Sequence, residues 1–269
     1  MNKKFISSLF LVCHAATSSV FAMAQNNELF EAARTGNAQQ LRIFLVNDVN
    51  VNEKDARGQT PLHYACLGGH VECVKILIEN SANINEKNQV GYAPLHIASS
   101  YGHVGCMREL LVSGANPNEK VGARGNTPLH LAILRRHLSL NCLTTLLENG
   151  ANINEKMTWD GGTALHEASE TGCADYVVML IENGANVNEL NKCGQTPAHK
   201  AKSRGYQNIV EILESYADFP DIKSADVFEE ADSKKRKRDD DDNQDSESKR
   251  IKLDDTPNSS SSSGSTSRA

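Results

Sequence analysis

Thr60-Pro61-Leu62-His63 returns as Thr127-Pro128-Leu129-His130 and, with one change, as Thr163-Ala164-Leu165-His166. Each copy sits at the same place in a longer pattern. Aligned on the threonine position, that pattern starts at Asn27, Thr60, Ala93, Thr127, Thr163 and Thr196, with spacings of 33, 33, 34, 36 and 33 residues. A period of this length marks a stack of small supersecondary units, none of which can hide its apolar face without a neighbour.

Within one unit the residues spell out two helices. Thr60 suits an N-cap, because its hydroxyl can accept from an unpaired N–H of the first turn, and Pro61 suits the next position, where a missing N–H costs nothing. Leu62, Ala65 and Cys66 then share a face, and Gly68-Gly69 ends the short helix with residues that tolerate positive φ. A second helix is expected from Val71 to Glu79, where Val74, Leu77 and Ile78 recur at three- and four-residue spacing. Between helix pairs come Asn50-Val51-Asn52-Glu53, Asn83-Ile84-Asn85-Glu86, Asn116-Pro117-Asn118-Glu119, Asn152-Ile153-Asn154-Glu155 and Asn186-Val187-Asn188-Glu189. A glycine follows each within a few residues, so these segments read as turn-rich extended fingers. Gly114-Ala115, Gly150-Ala151 and Gly184-Ala185 stop the second helices. Ser81-Ala82 stands in their place once, and a serine kept at positive φ there should strain the stop by about 1 kcal/mol.

The Thr-Pro-Leu-His starts, Gly69-His70 and Gly102-His103, the Gly-Ala stops and the Asn-Val/Ile-Asn fingers together resemble the ankyrin repeat family, from residue 27 to 217. The resemblance implies an all-α repeat solenoid of stacked helix-turn-helix units, with β-hairpin fingers at roughly a right angle and a concave surface lined by fingers and first helices. The units run 27–59, 60–92, 93–126, 127–162, 163–195 and 196–217. Two departures fit end caps, which face water on one side. The first copy reads Asn27-Glu28-Leu29-Phe30, and the last carries Ala198, Lys200, Lys202 and Arg204 where inner copies are more apolar. In the fourth copy Arg135-Arg136 replaces a glycine-containing turn, and two extra residues assigned to the second helix predict a bulge from Leu138 to Leu143.

The chain has 269 residues, of which 39% are hydrophobic and 5% aromatic, and the apolar ones concentrate between Leu29 and Leu213. One array with two unlike ends fits this distribution. A formal net charge of −6 argues against a nucleic-acid partner, because neutralising phosphates needs a basic face.

Residues 1–24 resemble a secretory signal peptide. Lys3 and Lys4 precede an apolar run from Phe5 to Ala16, and Ala22-Met23-Ala24 supplies the small-residue site. The run is shorter than the roughly 20 residues a bilayer span needs, and His14 interrupts it, so no stable membrane anchor is expected. An uncleaved anchor and a disordered leader are the alternatives. Cleavage after Ala24, or after Ala22, removes Cys13 and leaves six cysteines. Cys73, Cys106 and Cys142 hold the same position of successive units, on helices expected to pack about 8–10 Å apart. A disulfide needs α-carbons within about 7 Å, so these read as small apolar core residues, as does Cys66. Cys193 falls at a finger tip.

Nine histidines would ordinarily prompt a search for a metal or catalytic cluster. The period disperses them: His63, His96, His130, His166 and His199 are the fourth motif residue, His70, His103 and His137 follow the first helix, and His14 lies in the leader. The resemblance gives the motif histidine bonds within and between repeats, in keeping with a ring that can donate and accept. No phosphate loop, nucleophile elbow or paired-acid motif occurs. The chain is therefore read as a non-enzymatic protein without metal or cofactor.

What remains is binding. The resemblance places contacts at the finger tips and at the end of the first helix, and there the anchor candidates are Arg57, Tyr92, Tyr101, Arg124, Arg135, Trp159 and Asp160, since aromatic and Arg side chains dominate interface energetics. Beyond residue 217 the chain is polar and charged, with a serine-rich end, and is expected to be disordered over 218–269. Lys234, Lys235, Arg236, Lys237 and Arg238 form one basic cluster there and Lys249, Arg250 and Lys252 a second. Together they resemble a bipartite nuclear-import signal, which would engage importin alpha; a solvated polyampholyte and a phosphate-binding arm compete with that reading. The two end signals conflict inside one eukaryotic cell and agree for a bacterium living in a host. The leading expectation is thus a secreted, monomeric interaction scaffold that acts as an effector and reaches the host nucleus. A periplasmic scaffold and an intracellular regulator with an uncleaved N-terminus are the alternatives.

Overall fold

The computed structural model describes residues 27–218 apart from 48 and 136–138, so the leader, His137 and the basic tail clusters lie outside the described residues. Twelve helices follow in chain order: α1 (27–35), α2 (Ala38–Val46), α3 (Pro61–Gly68), α4 (Val71–Glu79), α5 (Pro94–Tyr101), α6 (Val104–Val112), α7 (Pro128–Leu134), α8 (Leu140–Glu148), α9 (Ala164–Thr171), α10 (Ala174–Glu182), α11 (Pro197–Ser203) and α12 (Gln207–Asp218). First helices pack on first helices, from α3 through α5, α7 and α9 to α11, and second helices form the other layer, with α2 on α4, α4 on α6, α6 on α8 and α10 on α12. This is the repeat solenoid expected from the period.

The core is built from equivalent positions. The motif leucines Leu29, Leu62, Leu95, Leu129 and Leu165 are at most 2% exposed. Burying one such side chain contributes about 2 kcal/mol, whereas fixing a single residue's backbone costs about 1–2 kcal/mol. A lone unit of some 33 residues therefore cannot hold itself together. Cys66, Cys73, Cys106 and Cys142 are buried and free. Burial pushes the Cys106 thiol up to about 11 and raises the other three, which keeps them protonated and inert.

The motif histidine secures each first helix. Nδ1 of His63 accepts from the Thr60 backbone N–H at 3.1 Å and from the Thr60 hydroxyl at 2.8 Å. Since Nδ1 accepts, the ring proton resides on Nε2, which donates to the Tyr92 carbonyl of the next finger at 2.9 Å. His166 repeats this toward Gln195 at 3.0 Å. The two histidines served by the one-residue-longer third and fourth fingers depart from it. His96 donates to the Glu119 carbonyl at 2.8 Å, and the buried Nε2 of His130 has no partner. His199, with no unit after it, is exposed and engages Thr196 alone.

A second ladder joins the fingers. Asn52 accepts from Asn83 N–H at 2.7 Å and donates to the Ser81 carbonyl at 3.3 Å. Asn85, Asn118 and Asn154 make the same two bonds one unit further on. Beside them Lys54 pairs with Glu86, Lys87 with Glu119, Lys120 with Glu155 and Lys156 with Glu189. These partly exposed pairs contribute at most about 1 kcal/mol each, so their main effect is to keep successive units in register.

Two expectations change. The fingers follow a hairpin path without strands: among the described residues the only β-pairing is one isolated antiparallel bridge, Val121 to Asn126. Asp55, Asn88 and Asn191 instead fold the short tips, each accepting from the N–H groups two and four residues ahead. The bulge expected from Leu138 to Leu143 is not in the helix either. α8 runs nine residues, as do α4, α6 and α10, and the extra residues fall between the bounds of α7 and α8, a stretch in which 136–138 lie outside the described residues and Arg135 takes φ −95° in place of the left-handed glycine that ends α3, α5 and α9.

Ser81 does keep positive φ, at 65°, alone among the described non-glycine residues. Ser81→Gly should therefore raise unfolding stability by about 0.5–1 kcal/mol in urea titrations, strain relief outweighing the added chain entropy; a loss would show that the turn carries no strain. Acid should have a separate effect. Burial lowers the pKa of His63, His96 and His166 below the ordinary 6.5 and that of His130 to about 4. The unfolded chain then binds more protons than the folded one below pH 6.5, so stability is complete above that pH and falls as pH descends toward the folded values. The urea midpoint should drop between pH 7.5 and 5, before the lowered carboxylates Glu86, Glu119, Glu155 and Glu189 begin to protonate. A flat midpoint over that window would contradict it.

Candidate functional site

The face made by the fingers and first helices carries the anchor candidates, and the structure separates them into groups. Tyr101, 46% exposed, stacks on His103 with ring centroids 6.3 Å apart and receives the Arg135 guanidinium 5.2 Å above its ring. Tyr92 is half-buried, edge-on to His96 at 6.0 Å, and its carbonyl serves His63. Arg57 is exposed at the tip of the first finger, where its backbone N–H donates to Asp55. Arg124, Trp159 and Asp160 come together with the first helices of the last two units in a groove of about 510 Å³.

The fourth finger builds that groove. Thr158 N–H and Trp159 N–H both donate to the Arg124 carbonyl, at 2.9 and 3.2 Å, which ties the fourth tip to the third. Asp160 accepts from Gly162 N–H at 2.9 Å and so closes its own tip. Trp159 is left 71% exposed, so neither the core nor a neighbouring finger accounts for the ring. Opposite it, Glu170 accepts from Lys200 at 3.0 Å and from Arg204, and Lys200 lies 3.8 Å from Asp160. These cations hold the Glu170 carboxyl below its usual value against the opposing pull of burial. Lys200 and Arg204, read from the sequence as cap residues facing water, are in fact turned onto the preceding unit.

Sequence reasoning passed over Glu167 and the role of Lys200. Both occupy the fifth motif position, which reads Glu31 in the exposed first unit and then Tyr64, Ile97, Leu131, Glu167 and Lys200 along the array. An apolar position that becomes an acid and then a base was the signal. Glu167 is 7% exposed, and burial, reinforced by Glu170 and Asp160, pushes its carboxyl up.

No three His, Cys, Asp or Glu side chains among the described residues converge closely enough to hold a metal ion. No described helix is long and apolar enough to cross a membrane. A regular framework with variable, partly exposed side chains along one face is suited to holding another macromolecule.

The profile for ankyrin repeats in three copies matches residues 29–121, 85–157, 114–191 and 139–226. The chain belongs to the ankyrin repeat family. Ankyrin repeats serve as protein-interaction scaffolds, and the family is typically non-enzymatic. Among solved structures this ankyrin chain is similar to one described as the predatory endopeptidase Bd0816 from Bdellovibrio bacteriovorus in complex with the immunity protein Bd3460, with a TM-score of 0.64 and 29% identity, over 70% of this chain and 97% of that one. No curated protein matches.

Removing Lys200 should cost more than removing Arg204. Lys200 is only 18% exposed in its side chain and serves two carboxylates, whereas Arg204 is 56% exposed. Lys200→Ala is expected to lower unfolding stability by about 1–2 kcal/mol, because it leaves partly buried carboxylates crowded without a counter-charge. Arg204→Ala should cost about 0.5 kcal/mol or less. Equal losses in urea titrations would mean that the partial burial of Lys200 carries no weight.

Proposed function

We propose that this ankyrin chain is an exported, monomeric, non-catalytic scaffold that acts as an effector by gripping a host protein with its finger and first-helix face, and that its basic tail engages importin alpha. The observation that carries the binding part is Trp159. An indole 71% exposed at the rim of a groove is a cost to a free monomer in water, and becomes favourable once a partner covers it. The stacked Arg135, Tyr101 and His103 supply a second rigid anchor on the preceding units. The membership of the similar solved chain in a protein–protein complex supports the same use of the fold. Export rests on the leader of residues 1–24, and nuclear entry on the two basic clusters of the tail. Retention in the periplasm as an envelope scaffold is the second reading, favoured by the leader alone.

The chain and its Tyr101→Ala, Arg135→Ala, Trp159→Ala variant, matched by circular dichroism, should differ in recovery of a host protein from extract by at least about tenfold, as loss of interface anchors entails. Equal recovery would move the binding surface elsewhere. Mass spectrometry of the N-terminus of a tagged copy tests export: a cleaved chain found outside the bacterial envelope agrees with it, and a cleaved chain that stays in the envelope favours the periplasmic scaffold.

A further inference from the structure

Glu167 is the buried groove acid whose chemistry the fold leaves unused. Its backbone belongs to the first turn of α9, at a motif position that three earlier units fill with Tyr64, Ile97 and Leu131. The side chain is over nine-tenths buried and lines the groove that Trp159 borders. Of the nearby cations, Lys200 and Arg204 close on Glu170 and Lys200 also approaches Asp160, while Arg124, exposed on the other side of the groove, acts on Glu167 through space without forming an ion pair. No hydrogen bond or ion pair of the kind that Glu170 makes reaches the Glu167 carboxyl. A buried carboxyl in that state is costly unless something completes it.

We propose that the groove receives an arginine side chain of the bound protein, its guanidinium paired with the Glu167 carboxylate and laid against the Trp159 ring. This rests on the reading of the finger and first-helix face as the binding surface, and names the chemistry that surface selects. Arginine fits better than lysine, because a planar guanidinium can meet a carboxylate with two bonds while stacking on an aromatic face. An acidic side chain directed at Arg124 is the rival occupant. Arg124 is exposed and already solvated, so a carboxylate arriving there gains little, whereas a cation arriving at Glu167 completes a group that has already lost most of its water. Arginine binds the ionised carboxyl, so acid opposes its entry.

N-acetyl-arginine methylamide, titrated into the full chain, should change the emission of Trp159, the chain's single tryptophan, in a saturable way. The neutral isostere N-acetyl-citrulline methylamide should bind at least about tenfold more weakly, having lost the charge-assisted pairing. Glu167→Gln should abolish that preference, while Glu170→Gln, which alters a neighbouring acid outside the proposed pairing, should keep it. The preference should also shrink as the pH is lowered from 7 to 5. Thermal melts of both variants show whether the fold is intact. If Glu167→Gln melts early, calorimetric titration of the unaltered chain at the two pH values decides. Equal binding of arginine and citrulline, or tighter binding of N-acetyl-glutamate methylamide, overturns the proposal. A groove that prefers arginine although the triple variant still recovers the host protein would leave the chemistry of the groove standing, but would remove the proposed face and with it the host protein as the source of the arginine. Loss of the host protein from the triple variant, with no arginine preference in the groove, would do the reverse.

Discussion

The buried rings of His63, His96 and His166 are each committed in two directions at once, and the array depends on that double commitment. Nδ1 accepts from the start of its own first helix, and Nε2 donates to the finger that closes the same unit. A protonated ring would carry a hydrogen on Nδ1 as well, aimed at a backbone N–H that can only donate. The neutral state is therefore a condition of the contact between first helix and finger. The asparagine ladder adds a second contact of the same character, because each Asn side chain accepts from one backbone group of the following unit and donates to another. Where no unit follows, the commitment lapses, and His199 is left exposed.

Cooperativity follows from this arrangement. The leucines in each unit are too few to offset the ordering of its backbone, and the polar groups that would cap it locally are satisfied in part by the neighbour. Stability is then mostly a property of interfaces between units, as in a one-dimensional chain of coupled elements. The weak point of such a chain is a unit whose couplings are incomplete. His130 lacks its bond to the next finger, and the turn that follows α7 is longer and lacks the left-handed glycine found after α3, α5 and α9. Both departures fall in the fourth unit, the same one that supplies Trp159 and Asp160 to the groove.

The framework was legible in the sequence because it is repeated. A threonine, a leucine or a histidine read once is ambiguous, but five readings at nearly constant spacing leave one architecture, and the strained Ser81 could be picked out as the exception to a glycine rule. The finger geometry was less legible. Whether an extended tip pairs as strands or closes around an Asx side chain turns on one or two residues, and Asp55, Asn88 and Asn191 settle it through side-chain bonds that periodicity does not show. The extra residues of the fourth unit were misassigned for a related reason, since periodicity counts insertions without saying whether a helix or a turn absorbs them. Tyr92 and Trp159 both read as aromatic anchors, yet one is half-buried against His96 and the other is open to solvent, because exposure depends on the neighbouring finger.

Glu167 and Lys200 show where framework gives way to recognition. A position that faces the adjacent first helix is normally kept apolar, because a charge there must find a partner or lose hydration. The array departs from that rule twice in succession, first with an acid and then with a base. The base resolves its position by closing on Glu170 and Asp160. The acid does not, although Arg124 and Lys200 are near enough to offset in part the burial that pushes its carboxyl up. Had Lys200 paired with Glu167, the substitutions would have cancelled and the groove would be a buried ion pair with nothing further to offer. By bonding Glu170 instead, Lys200 leaves one largely buried carboxyl in the groove that the open indole borders. The finger that holds Trp159 and the helix that holds Glu167 are each rigid parts of the stack, so a ligand entering between them meets a preformed pair of groups and pays little to order them.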